Sequence, residues 1–167
     1  MRRTTITLLT LLAVASITVG VVWAQSSGAH FQKSSVRADI QNNGDLRVSW
    51  VEAGLGNLNV DYTTTANFTA TYFCRTNSGN IPDASNKTTT GGPVTANGSF
   101  EPKNGKVTAS LTLTTTPPSS NPPTCGKGQS LDLQEITYSN VVLSDTSNGI
   151  TTNVSAGTFS ITLFPAP

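Results

Sequence analysis

The acidic side chains are the first groups to consider for chemistry in this sequence. Hydrolysis of a glycan needs two carboxyl groups held a few ångströms apart in a cleft. The chain has nine Asp and Glu residues, and most of them fall at turns or at outward positions of alternating segments. We single out Glu52, because it follows Trp50 into a glycine-rich segment. We predict no catalytic residue, and a secreted carbohydrate-active hydrolase that uses Glu52 with a second acid is the alternative.

The other reactive side chains do not form a recognisable catalytic or metal site. His30 is the only histidine, so a Ser/His/Asp or Cys/His nucleophile would have to depend on it. The turns at 42–45 and 145–149 contain Asp, Asn and Gly, but they lack the twelve-residue spacing of a calcium loop. Hairpin turns explain their composition better. We predict no metal, no cofactor and no enzyme activity.

The two cysteines, Cys74 and Cys125, are predicted to form a disulfide. Secreted proteins fold in an oxidising compartment, where a lone exposed thiol is a liability. The bridge would close a long loop and would add about 4 kcal/mol in the chain-entropy model. Neither cysteine has a nearby His or the CxxC spacing that lowers a thiol pKa.

Residues 1–24 have the three parts of a secretory signal peptide. Arg2 and Arg3 precede an apolar run, and Ala24 offers a small residue at the cleavage point. We therefore expect a secreted, extracellular protein with no membrane anchor after cleavage.

Only 11% of the residues are charged and the net charge is +1, which argues against nucleic acid as a partner.

The remaining chain must be built from strands. From Val60 to Cys74 apolar residues alternate with Thr, Asp and Asn, which predicts a long strand with one buried face. Segments 36–40 and 46–50 alternate around an Asn-Asn-Gly-Asp turn, and 94–100 and 107–113 flank Asn104-Gly105. Each pair predicts a β-hairpin.

Irregular segments are also expected. Residues 75–92 are rich in Asn, Ser, Gly and Thr and predict a long loop, and 114–129 carries four prolines that favour an extended linker. Leu131 and Leu133 are out of phase with Ile136 and Tyr138, which predicts a β-bulge near Gln134 and Glu135, and the phase changes again before Val141.

These elements predict an all-β protein, a two-sheet antiparallel β-sandwich of roughly seven to nine strands. The architecture is immunoglobulin-like only in outline, because Trp50 precedes both cysteines instead of lying between them. We divide the chain into a signal peptide (1–24), a mobile N-terminal arm (25–35) and a single sandwich domain (36–167).

Several short motifs are spread over most of the chain after the signal peptide. They are Glu52-Ala-Gly-Leu-Gly-Asn57, Tyr72-x-Cys74, Asn86-Lys87, Cys125 with Gly128-Gln129, Tyr138-Ser-Asn-Val, Asp145 and Asn148-Gly149. These motifs resemble those of a loosely defined group of small secreted bacterial immunoglobulin-like proteins of unknown function. The resemblance implies a bacterial source and a β-sandwich, and it assigns no catalytic residue.

The leading hypothesis is a non-catalytic extracellular protein that binds a glycan or another protein through its loops or one sheet face. We predict Trp50, Glu52 and Tyr138 as binding residues. A third function, besides the hydrolase, is a small-molecule carrier or inhibitor with a cleft between the sheets, lined by residues such as Trp50, Phe68 or Tyr138.

Overall fold

The computed structural model describes residues 28–76, 78, 87–115, 125–154 and 157–164. The proposed signal peptide lies outside this part of the chain. The described residues form one short 3₁₀ helix, Lys33–Ser35, and nine strands in two antiparallel sheets that pack face to face. This confirms the predicted all-β sandwich. The strands are β1 (His30–Phe31), β2 (Arg37–Ile40), β3 (Leu46–Ala53), β4 (Val60–Thr76), β5 (Lys87–Phe100), β6 (Lys106–Leu113), β7 (Gln129–Asp145), β8 (Ile150–Asn153) and β9 (Phe159–Thr162).

Sheet 1 is built around β3. Strand β6 pairs with β3 over its whole length, from Leu46 opposite Leu113 to Ala53 opposite Lys106. Strands β2 and β1 follow each other along the opposite edge of β3. The β2–β3 pair is the first predicted hairpin, and the amide of Gln41 donates to the carbonyl of Asp45 at 2.8 Å to close its turn.

Sheet 2 is built around β4, which pairs with β5 on one side and with β7 on the other. Strands β8 and β9 then pair with successive parts of β7. The predicted alternation of β4 is confirmed, because Val60, Tyr62, Thr64 and Ala66 are buried while the residues between them face outward. The Thr-rich face of β4 is therefore the outer face of the sandwich.

Two irregularities in β7 occur where the hydrophobic phase changes. The β4–β7 register skips Gln134, which lies between the partners of Thr71 and Tyr72, and this confirms the predicted bulge. The register shifts again near Asn140, whose φ is +52°. Each extra residue returns the following apolar side chains to the inner face.

The segments predicted to be irregular are shorter than expected. Residues 28–35 belong to the predicted arm, yet His30 and Phe31 pair with Ala53 and Glu52. Strand β2 pairs only with residues 46–49 of β3, and His30 and Phe31 pair with its last two residues. The segment is therefore part of sheet 1. Strand β4 continues to Thr76 and β5 begins at Lys87, so the described parts of the predicted loop 75–92 are mainly strand.

The second predicted hairpin is wrong in its pairing, although its turn is present. Asn104 and Gly105 have φ values of +54° and +71°, as a type I′ turn requires. Lys103 and Lys106 pair across it, but β5 pairs with β4 and β6 pairs with β3. The turn therefore passes the chain from one sheet to the other.

A disulfide and an aromatic contact hold the C-terminal end of β4. The predicted Cys74–Cys125 disulfide is present, with the two Cα atoms 5.3 Å apart. On the outer face of sheet 2, Phe73 is buried against Phe164, and the ring centroids are 5.5 Å apart. Arg75 lies over the same Phe164 ring and pairs with Asp132 at 2.6 Å.

Candidate functional site

The three residues predicted to bind a ligand all lie inside the sandwich. Trp50 is 1% exposed, and Glu52 and Tyr138 are 0% exposed. Trp50 and Glu52 share the inner face of β3, whereas Tyr138 lies on the inner face of β7. A ligand on the outer surface would not touch Glu52 or Tyr138, whereas Trp50 also borders a groove on the outer face of its sheet.

Tyr138 joins the two sheets instead of facing solvent. Its hydroxyl donates to the carbonyl oxygen of Gly44 at 2.9 Å, in the turn between β2 and β3. Burial raises the pKa of Tyr138 to about 12, so the hydroxyl keeps its proton and remains a donor at physiological pH. The residue that the sequence suggested for binding is thus a structural contact.

Glu52 lies in a buried polar cluster that both sheets build. Tyr62 and Asp145 are directly opposite each other on β4 and β7, and Glu52 faces them from β3. An aromatic wall encloses the cluster: the Trp50 and Tyr62 ring centroids are 4.9 Å apart, and Phe100 packs edge-on against Trp50 at 5.7 Å. We call Glu52, Tyr62 and Asp145 the acid cluster.

The acid cluster holds a proton near neutral pH. Desolvation by burial, and then the charge of Asp145, raise the pKa of Glu52 from its ordinary 4.5 to about 7. Tyr62 and His30 act in the opposite direction, with Tyr62 the larger of the two. Burial and the neighbouring Glu52 also raise the pKa of the Tyr62 hydroxyl. Glu52 therefore binds its proton far more tightly than an exposed glutamate does.

The polar atoms around the acid cluster are poorly partnered. Asp145 is the exception, because its carboxylate accepts a hydrogen bond from the backbone amide of Asn148 at 2.9 Å and another from the Asn148 side chain. This is the Asx-turn chemistry predicted for the turn at 145–149. Among the described residues, the buried atoms outside hydrogen-bond geometry are Trp50 Nε1, both Glu52 carboxyl oxygens, the Tyr62 hydroxyl and Thr64 Oγ1, although the Tyr62 hydroxyl is close enough to Glu52 to lower the pKa of that carboxyl.

The acid cluster has the groups of an acid–base site but no route for a substrate. Two carboxyl groups in a dry environment are the arrangement that shifts a pKa toward neutrality in active sites. Glu52 is completely buried and Asp145 is 1% exposed. A substrate could reach them only if the two sheets separated at this end.

An open groove of about 480 Å³ lies on the outer face of sheet 1. Its lining residues come from β2, β3 and β6, where they stand in rows across the sheet, and from Ser35 of the 3₁₀ helix. Arg37, Ser49 and Ser110 are cross-strand partners in one row, and Asp39 is opposite Arg47 in the next. We call this surface the sheet 1 groove. It is a concave part of the described surface on which polar groups converge.

The sheet 1 groove carries more positive than negative charge. Arg37, Asp39 and Arg47 are exposed, so two guanidinium groups stand beside one carboxylate. The Nε of Arg47 donates to the hydroxyl of Ser110 at 3.2 Å, which limits the motion of the side chain. Rigid strands under the charged groups keep their spacing constant.

The sequence contained a signal for this groove that residue types alone did not reveal. The Asn-Asn-Gly-Asp turn fixes the register of the β2–β3 hairpin, and that register places Asp39 opposite Arg47. Because Leu46, Val48 and Trp50 point inward, Arg47 and Ser49 must point outward. The contribution of β6 could not be derived in this way, since β6 is distant in sequence.

Neither a metal centre nor a membrane span is found in the described part of the chain. No group of three or more His, Cys, Asp or Glu residues there could hold a metal ion. No helix among those residues is long and apolar enough to cross a membrane.

Comparison of the chain with protein-family models, with curated proteins and with solved structures finds no match. The resemblance to small secreted bacterial proteins therefore stays a prediction from the motifs.

Proposed function

We propose that the protein is an extracellular, non-catalytic binding protein whose ligand, a glycan or another protein, lies in the sheet 1 groove. The observation that carries this proposal is a row of polar side chains on three neighbouring strands, the exposed Arg37 and the partly buried Ser49 and Ser110, with the exposed Arg47 and Asp39 beside them. Side chains on a sheet are held more firmly than side chains on loops, which favours recognition with little ordering cost.

The proposed extracellular location rests on two features. The first 24 residues have the composition of a secretory signal peptide. The pairing of Cys74 with Cys125 agrees with folding in an oxidising compartment. Membership of the group of small secreted bacterial proteins would agree with both features.

A secreted hydrolase is the second candidate, because Asp145 lies beside Glu52 and could be the second acid. Its weakness is that both carboxyl groups are buried. The carrier hypothesis has less support, since Trp50 and Tyr138 are core residues and the partly buried Phe68 packs against the same core. A cleft between the sheets would have to displace this packing.

The proposal can be tested by filling the groove. Ser49→Trp places a large side chain in the centre of the row formed by Arg37, Ser49 and Ser110, while Thr95→Trp is the matched control on the exposed outer face of sheet 2. Purified exported protein is incubated with a panel of polysaccharides and, separately, with extracellular proteins from the source medium. We expect retention of a ligand by the wild type and by Thr95→Trp, and loss of retention by Ser49→Trp.

Two outcomes would contradict this proposal. Equal retention by both tryptophan variants would place the ligand elsewhere. Release of new reducing ends by the wild type, with loss of this activity in Glu52→Gln, would show a hydrolase.

A further inference from the structure

The charges of the sheet 1 groove narrow the chemistry of its ligand. We infer that the ligand is an acidic polysaccharide, a glycan that carries carboxylate or sulfate groups along its length. This inference rests on the proposed function, because it takes the groove as the binding site. It goes further by assigning the anionic groups to Arg37 and Arg47 and the sugar hydroxyls to the polar residues around them.

Arg47 is the better ordered of the two cations. Its Nε donates to Ser110, and its two terminal nitrogens are the atoms that can engage a carboxylate or sulfate in a paired geometry. Among the described residues, the ion pair is the one between Arg75 and Asp132, and it lies in sheet 2, away from the groove. Asp39 is the cross-strand neighbour of Arg47, yet it does not close an ion pair with it.

Arg37 supplies a second positive charge at a fixed distance. It is opposite Ser49, two residues along β3 from Arg47, and such diagonal neighbours lie about 7–8 Å apart at their Cα atoms. A polymer with repeated anionic groups can satisfy both cations at once. Two coupled contacts raise affinity more than either contact does alone.

The remaining lining suits a sugar. Ser49, Ser110 and Thr108 present hydroxyl groups that can both donate and accept hydrogen bonds. Asp39 can accept hydrogen bonds from sugar hydroxyls. A ligand that carries hydroxyls as well as anionic groups therefore explains the carboxylate beside two arginines, which a purely anionic ligand would not. The mixture of guanidinium, carboxylate and hydroxyl groups is complementary to a chain that alternates charge with hydroxyls.

The groove has few of the features that a protein or nucleic-acid ligand would use, because its apolar lining residues Val51 and Ala109 are partly buried and Trp50 is a core residue. Protein interfaces depend on buried aromatic or aliphatic anchors, and the one large hydrophobic side chain recorded as exposed among the described residues is Leu58, in the β3–β4 connection. Single-stranded nucleic acid needs aromatic rings for base stacking and a strongly basic path. The net charge of the chain is only +1.

The test measures the affinity of the exported protein for polygalacturonate, for a sulfated galactan and for neutral xylan. Arg37→Ala and Arg47→Ala should each weaken binding of the acidic polymers about tenfold or more, since charged hydrogen bonds are the strong ones. Arg47→Lys keeps the charge but not the paired geometry, so it should restore only part of the affinity. Asp39→Asn should strengthen binding of the acidic polymers.

Lys87→Ala is the matched control, because it removes one positive charge from β5 in the other sheet. It should leave affinity unchanged, and raising the salt concentration should weaken binding of the wild type. Binding of neutral xylan that is unaffected by either arginine substitution but lost in Ser49→Trp would overturn this inference and leave the proposed function standing. Binding of an acidic protein in place of every acidic polysaccharide would also overturn it, and failure of Ser49→Trp to reduce any binding would overturn both proposals.

Discussion

At the scale of single residues, Glu52 shows how a strand can carry an ionisable group into the core. It follows Leu46, Val48 and Trp50 at intervals of two, so the alternation of β3 directs its side chain inward. Water is excluded there, which disfavours the charged carboxylate. Asp145 adds a second carboxylate from the other sheet. The result is a titratable contact between the two sheets.

We predict that Glu52 makes stability depend on pH in the acidic range. Between about pH 4.5 and pH 7 the folded protein keeps the Glu52 proton while the unfolded chain has lost it, so the free energy of unfolding falls as pH rises. The Glu52 proton contributes fully to the free energy of unfolding below about pH 4.5, and this contribution of about 3 kcal/mol is lost by about pH 7. Glu52→Gln cannot ionise and should remove this slope. Urea unfolding across that range measures it.

The exposed Glu101 gives a matched control. Glu101→Gln should keep the pH dependence of the wild type. Glu52→Gln should be more stable than the wild type above pH 7. Parallel stability curves for the wild type and Glu52→Gln would contradict the assignment of a proton to this buried carboxyl.

At the scale of elements, the turn between β2 and β3 does more than reverse the chain. Gly44 has a φ of +89°, and its carbonyl accepts the hydrogen bond from Tyr138 on the other sheet. A Cβ atom at this position would lie 2.5 Å from Leu133 Cδ2. The turn therefore needs glycine both for its backbone conformation and for its packing against sheet 2.

Gly44→Ala should lower the free energy of unfolding by about 2–3 kcal/mol. About 1 kcal/mol comes from the left-handed backbone, and the rest comes from moving the end of the Leu133 side chain away from the added methyl group. Gly149→Ala is the matched control, because its φ is +70° but, among the described residues, no atom beyond its two chain neighbours lies within 4 Å of the added Cβ. We expect a loss of only about 1 kcal/mol there. Thermal unfolding of both variants measures the difference, and equal losses would rule out the packing role of Gly44.

At the scale of the whole molecule, the two sheets are held together by their apolar core and by the hydrogen bond from Tyr138 to Gly44. The disulfide does not join the two sheets. It joins β4 to the segment that leads into β7, and both strands belong to sheet 2. These two strands already pair next to the bridge, where Cys74 is opposite Leu131. The bridge therefore reinforces sheet 2 and restricts the unfolded chain.

Replacing both cysteines, Cys74→Ala with Cys125→Ala, should lower the free energy of unfolding by about 4 kcal/mol. The bridge spans a sequence separation of 51 residues, and loop closure in the unfolded state accounts for most of this value. Urea unfolding of the double variant gives the measurement, and the wild type in excess reductant should show a similar loss. A midpoint that reductant does not change would contradict the stabilising role of the bridge.

Local patterns in the sequence determined much of this fold. Alternation with a period of two specified β3 and β4, the phase change near Gln134 specified the bulge, and the two cysteines specified the crosslink. The Asn-Asn-Gly-Asp turn specified the β2–β3 hairpin. These features depend on residues that are close in the chain or on a pair with no competing partner, so the sequence alone is sufficient for them.

Outside the β2–β3 hairpin, only the tertiary structure decided which strands are neighbours. Asn104-Gly105 makes a hairpin turn, yet β5 and β6 separate because β4 and β3 offer each of them a long partner and a shared core. The same packing encloses Glu52 beside Asp145 and brings Ser110 to Arg47. Contacts between distant segments follow from burying the inner faces of both sheets at once, and no local periodicity contains that information.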